Sequence, residues 1–191
     1  MKPFSIKPLN SFQIIVLGFA GVILAGALLL MLPVSSATHC VTPFLSALFT
    51  STTSVCVTGL IVVDTGTYWS VFGQAVILVL IQIGGMGVVT VAAAVTIVSG
   101  RKIGLMQRST MQEAVAAPKM SGIVRLTGFI IRATFLIELS GAALLAPVFC
   151  RDFGPVRGLW MALFHSISAF CNAGIDLMGI RIPFSSLTLY A

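Results

Sequence analysis

The chain has 191 residues, 58% of them hydrophobic and only 8% charged. With a mean hydropathy of +1.09 this excludes an ordinary soluble domain, in which about 25% of residues are charged. The net charge of +6 invites a nucleic-acid reading, which its distribution excludes: Lys2, Lys7, Arg101, Lys102, Arg108, Lys119, Arg125 and Arg132 flank one side of the apolar runs, and only Arg151, Arg157 and Arg181 the other.

That asymmetry is the positive-inside bias, and it predicts a multi-pass protein of the cell membrane with its N-terminus and the 100–122 loop in the cytoplasm. Basic loops of this kind also face anionic membrane lipid. Met1 to Asn10 reads as a cytoplasmic lead-in. Phe12 to Leu32 carries no charge and is long enough to cross a hydrocarbon core of roughly 30 Å, so a first helix is predicted from Ser11 to Leu32, stopped by Pro33. A cleaved signal peptide fits poorly: the run is too long, and Leu32-Pro33-Val34 offers no small-x-small cleavage site.

Val41 to Val63 is also uncharged, yet two arguments oppose a second crossing. A crossing would send the next span's basic loop to the outside, against the charge rule. Only Pro43 to Ser54 reads as helix, because Val55 to Val63 is β-branched and broken by Gly59. Non-helical backbone at membrane depth survives only where protein or a water-filled path satisfies it. The segment is therefore expected to enter and turn back, with Pro43 in the first turn of a half-helix.

Asp64 to Ser70 follows as an outer loop, with Tyr68 and Trp69 as an interfacial anchor. The second span is predicted over Val71 to Ser99. Its Gly84-Gly85-Met86-Gly87 is either a close-packing surface or a flexible point in an ion path. Within the basic loop, a short amphipathic helix is predicted around Leu105 to Ala116, as a connector or a partner contact. The third span runs from Ile123 to Ala146 and ends at Pro147. Within it Glu138 lies about 13 Å deep at helical rise, either in an ion pair with another helix or beside an ion path. Arg151 to Arg157 is expected as an outer loop, Gly158 to Ala169 as a second half-helix with Trp160 at its rim, and Asn172 to Ile175 as a second turn.

An internal repeat organises these elements. Ala47 to Leu60 recurs as Ala162 to Ile175 at an offset of 115, with six of fourteen positions identical, including Cys56/Cys171 and Gly59/Gly174. Leu29 to Val34 is echoed by Ala143 to Val148. The unit is helix–pore loop–helix, an all-α membrane architecture. It divides the chain into a first repeat (1–99), a basic loop (100–122) and a second repeat (123–191) that is expected to lack its last helix.

Such a unit suits a cation. Backbone carbonyls of a non-helical segment replace a hydration shell, glycine frees the angles that aim them, and a half-helix points its partly negative C-terminal end at the same place. Asp64 and Asp176, just beyond the glycines, either concentrate cations at the outer mouth or are solvated loop acids. Two loops make half a ring, so a closed pore needs further repeats or a second copy. Cys56 and Cys171 occupy matching loop positions, and the pairing of Cys40 with Cys150 stays open.

At Thr50 to Thr65, Ile81 to Gly87 and Ser166 to Asp176 the sequence resembles the Trk/Ktr/HKT superfamily of potassium transporters. The resemblance implies a filter lined by the backbone of Val57, Thr58, Gly59 and Leu60 with that of Asn172, Ala173, Gly174 and Ile175. Glycine in both loops implies potassium as the transported ion, with sodium the alternative, and no cofactor. It further implies a homodimer on a cytoplasmic nucleotide-binding regulatory subunit, contacted through the 100–122 loop. Because four repeats build such a protein, the chain corresponds to about one and a half of them. A competing expectation is a membrane subunit that only accompanies a sodium-translocating ATPase. A third, an intramembrane hydrolase using Ser166 or Ser168 with His39 or His165, lacks a nucleophile turn or a zinc motif, so no enzyme is expected.

Overall fold

The computed structural model describes residues 11–87, 90, 91, 105–114, 123–180, 182 and 184–186. The expectations for the lead-in, for the end of the second span and for most of the basic loop lie outside these residues. Every regular element described is helical. In chain order they are α1 (Ser11–Met31), α2 (Phe44–Val55), α3 (Thr65–Tyr68), α4 (Val71–Met86), α5 (Leu105–Ala114), α6 (Ile123–Phe153) and α7 (Pro155–Phe170), with 3-10 turns at Pro33–Ser35 and Met178–Ile180. By length and composition α1 and α6 are able to cross a membrane.

α1 ends where expected. Pro33 opens a 3-10 turn, and the Ser35 hydroxyl donates to the Leu29 carbonyl at 2.6 Å, covering one of the carbonyls a helix end leaves open. Pro43 then stands at the N-cap of α2, one position before its expected place in the first turn. With 12 residues, α2 spans about 18 Å, well short of a crossing.

Hydrogen bonds at the ends of this excursion show where it goes. Ala37 N–H donates to the Tyr68 carbonyl and Ser70 N–H to the Ser35 carbonyl, both at 2.9 Å. Ser36 and Trp69 form an antiparallel bridge, and the Ser70 hydroxyl donates to the Val34 carbonyl at 2.5 Å. The chain therefore returns to the level it left. Residues 37–68 form an excursion whose two ends lie side by side, and no single helix runs from Val41 to Val63.

Four expectations are corrected. The outer loop contains α3, capped by Asp64. Trp69 is no lipid-facing anchor: it is 2% exposed because the Ser36 bridge draws it inward, edge-on to Tyr68 at 4.9 Å. The second span is interrupted, since α4 stops at Met86 and Gly87 adopts φ +80° and ψ 136°, angles open to glycine that an α-helix does not continue through. Finally, Pro147 does not end the third span.

α6 carries Pro147 in its interior and continues to Phe153, and α7 begins at Pro155, leaving only Gly154 (φ +81°) between them. An interior proline costs about 3 kcal/mol. The turns beyond it are held by α7: Phe149 stacks on His165 at 5.1 Å, and Gly158 lies so close to the Cys150 backbone that a Cβ would not fit. Arg151 to Phe153 is therefore helix, not loop. The short helix expected at Leu105 is present as α5.

The two repeats are also joined by side chains. Trp160 Nε1–H donates to Gln74 Oε1 at 2.8 Å, while Gln74 Nε2–H donates to the Trp69 carbonyl at 3.1 Å. Trp160 is thus a half-buried link between α4 and α7. Around it Leu30, Ile77, Ile81, Met161, Phe164 and Leu177 form a fully buried core.

Candidate functional site: two facing loops

The half-helices α2 and α7 end identically. After α2, Val57 N–H donates to Ser54 and Thr58 N–H to Thr53; after α7, Asn172 N–H donates to Ala169 and Ala173 N–H to Ser168. Each pair is a Schellman ending, which requires a left-handed residue just past the helix. Asn172 (φ 58°) fills that position comfortably. Val57 (φ 49°) does not, since a β-branched residue is a genuine outlier in this region. The segments after the helices are thus irregular, with no strand in either. They twist left-handed at Val57 and Gly59, and at Asn172 and Gly174.

The two glycines bring the loops together. A Cβ on Gly59 (φ +78°) would lie 2.7 Å from the Ala173 carbonyl oxygen and 3.4 Å from Gly174 Cα; one on Gly174 (φ +66°) would lie 3.6 Å from Gly59 Cα. Of the other residues named from sequence, Thr58, Leu60 and Asn172 are exposed on the chain, Val57 is half-buried, and Ala173 and Ile175 are buried.

Behind the loops the bracing differs. In the first, Thr53 Oγ1 meets Thr58 Oγ1 at 2.5 Å and accepts from Leu60 N–H at 3.0 Å. In the second, the Ser168 hydroxyl donates to the Ile175 carbonyl at 2.5 Å. His165 Nδ1 lies 2.7 Å from the Met161 carbonyl, and its Nε2 accepts from Leu177 N–H at 3.2 Å.

The glycine run of α4 is a packing surface, and its neighbours are the loop bases. Gly84 abuts the Val55 carbonyl too closely for any Cβ, and a Cβ on Gly85 would lie 2.5 Å from Cys171 Sγ. α4 is thereby wedged against the last turns of both half-helices.

A cavity of about 190 Å³ opens over Gly59 and Gly174, with Asp64 and Asp176 in its wall. Asp64 is not a solvated loop acid. It is buried, Oδ1 accepts from Gly66 and Thr67 N–H at 3.0 Å, and Oδ2 accepts from Phe184 N–H at 2.6 Å. It therefore clasps the first repeat to the second, packed on Gly179. Asp176 Oδ1 accepts from Met178 N–H at 2.9 Å.

Glu138 is 1% exposed. Among the described residues its partner is an amide, not a cation: Gln82 Nε2–H donates to Oε1 at 2.8 Å, with the Cys171 thiol 3.9 Å from the same oxygen. The acid thus sits beneath the second loop, tying α6 to α4. The serines of the hydrolase reading are committed elsewhere, Ser166 to the Glu138 carbonyl at 2.6 Å and Ser168 to Ile175. His39 is exposed, and all four cysteines are free, so Cys40 and Cys150 are unpaired with each other.

Sequence reasoning missed the Gln82 partner of Glu138 and the second bond of His165. The only signal for the latter was that a histidine replaces Thr50 of the first repeat.

Residues 5–183 match the TrkH family, described as a cation transport protein. The chain is 40% identical over its whole length to the potassium/sodium uptake protein NtpJ of Enterococcus hirae, covering 42% of that protein. It is 44% identical over 86% of its length to the Ktr system potassium uptake protein B of Bacillus subtilis, covering 37% of it. Against the protein of the same name from Vibrio alginolyticus it is 37% identical over 93% of its length, covering 40%. The chain therefore spans about two-fifths of the length of these relatives. It is an all-α membrane protein, and it belongs to the TrkH family of cation transport proteins, which are transporters rather than enzymes.

Proposed function

We propose that this chain contributes two of the loops of a potassium-selective uptake pore. The observation that carries the reading is the apposition of the two glycine-bearing turns, with Gly59 against the Ala173 carbonyl and Gly174. Two half-helices direct their C-terminal ends at this contact, where a cation is favoured. The backbone carbonyls of Val57, Thr58, Gly59 and Leu60 and of Asn172, Ala173 and Gly174 then supply ion ligands. The Ile175 carbonyl, braced by the Ser168 hydroxyl, keeps a second lone pair for the same role. Two loops enclose half an ion, so the rest of the ring comes from further repeats or a second copy.

In this reading the N-terminus and α5 are cytoplasmic, the acid-lined cavity faces outward, and α5 contacts a nucleotide-binding regulatory partner beneath a homodimer. Support comes from the relatives' potassium uptake and from the charge bias. The test is Gly59→Ser in the full-length protein, expressed in cells deprived of their own potassium uptake. Weakened preference for potassium over sodium in competition uptake is expected. An unchanged preference at normal protein levels contradicts the assignment.

A further inference from the structure

We propose that His165 is the positioning residue of the second loop, held as the neutral Nδ1–H tautomer and clamping the main chain beyond Gly174 in the place that ion discrimination requires. The proposal rests on the pore reading above.

The tautomer follows from its two partners. The Met161 carbonyl only accepts, so Nδ1 at 2.7 Å carries the hydrogen. The Leu177 amide only donates, so Nε2 at 3.2 Å presents its lone pair. An imidazolium would aim one N–H at another. The ring is 2% exposed, stacked on Phe149 at 5.1 Å and edge-on to Phe164 at 6.1 Å.

Comparison of the repeats isolates what the ring adds. Thr50, the matching residue, donates to Ser46, its own fourth-preceding carbonyl, at 2.9 Å. His165 makes the same bond to Met161 and then reaches across to the segment leaving the loop, at Leu177. The Leu177 carbonyl in turn packs on Gly66, where a Cβ would lie 2.6 Å away. The clamp therefore fixes both the second loop and its seat against α3 of the first repeat.

The test compares His165→Gln, which keeps one donor and one acceptor, with His165→Leu and His165→Thr, which cannot bridge both partners. All are made in the full-length transporter, with potassium and sodium uptake measured together. Leu and Thr are expected to lose roughly tenfold in potassium-over-sodium discrimination, as for a broken buried hydrogen bond, with the change in KM exceeding that in maximal rate. Gln is expected to restore most of it.

Wild-type preference in the Leu and Thr variants, where Gly59→Ser does alter preference, overturns this proposal alone. If neither site affects preference, the pore reading fails with it. Should Leu and Thr not accumulate, ¹⁵N-histidine spectra of the wild type decide, with the His165 signals assigned by their loss in His165→Gln. Protonated Nδ1 with bare Nε2 is expected, and an Nε2–H or imidazolium signature overturns the proposal.

Discussion

Gly59 and Gly174 occupy matching positions, yet the structure predicts unequal responses to alanine. Both have left-handed backbone, at φ +78° and +66°, and placing a Cβ there costs about 1–2 kcal/mol. At Gly174 the added methyl meets Gly59 Cα at 3.6 Å, an ordinary contact. At Gly59 it meets the Ala173 carbonyl oxygen at 2.7 Å, a distance backbone atoms relieve only by moving the loops apart. Overpacking of this kind adds about 1–3 kcal/mol. Gly59→Ala should therefore destabilise by about 2–5 kcal/mol and Gly174→Ala by about 1–2. Thermal unfolding of the purified full-length protein in detergent checks the order, and competition uptake of potassium and sodium checks that the larger loss accompanies the greater change in preference. Equal destabilisation by the two variants, or a neutral Gly59→Ala, would refute the reasoning.

Four further substitutions follow from the same geometry. Val57→Asn should raise stability by up to about 1 kcal/mol, because asparagine tolerates the left-handed angle that valine resists; a lower melting temperature would show that Val57 is not strained. Gly84→Ala should cost about 1–3 kcal/mol by driving a methyl into the Val55 carbonyl. Gly21→Ala, with open space around it, should be neutral or stabilise by up to about 1 kcal/mol, and melting curves compare the two. Asp64→Ala should cost about 1–3 kcal/mol, since it strands the Gly66, Thr67 and Phe184 amides; proteolysis near residue 184 should then accelerate.

The sequence was most informative where chemistry is local. A Schellman ending needs particular backbone angles within six residues, so the recurrence of Cys56 and Gly59 as Cys171 and Gly174 exposed both loops. The charge rule and the β-branched run after Ser54 were enough to bend Val41 to Val63 back on itself. Proline was misleading for the same reason. The stop at Pro33 is local, whereas the helix persists through Pro147 because Phe149 and Cys150 gain partners on α7. Trp69 looked like an interfacial anchor until its bridge to Ser36 buried it. Glu138 was visible as a buried acid, but its partner Gln82 lies 56 positions away, beyond any local pattern. Likewise nothing in the run around Gly84 and Gly85 revealed that the surfaces they approach are Val55 and Cys171.

The central claim is that the chain enters the membrane after α1 and leaves it again on the same side. Cysteine labelling tests this directly, in a background whose four native cysteines are replaced by serine or alanine. Thr38→Cys and Thr67→Cys, both at exposed positions at either end of the excursion, should react with a membrane-impermeant maleimide from one face of intact cells or oriented vesicles. Glu113→Cys on α5 should react only from the other. Thr38 and Thr67 labelled from opposite faces would contradict the account.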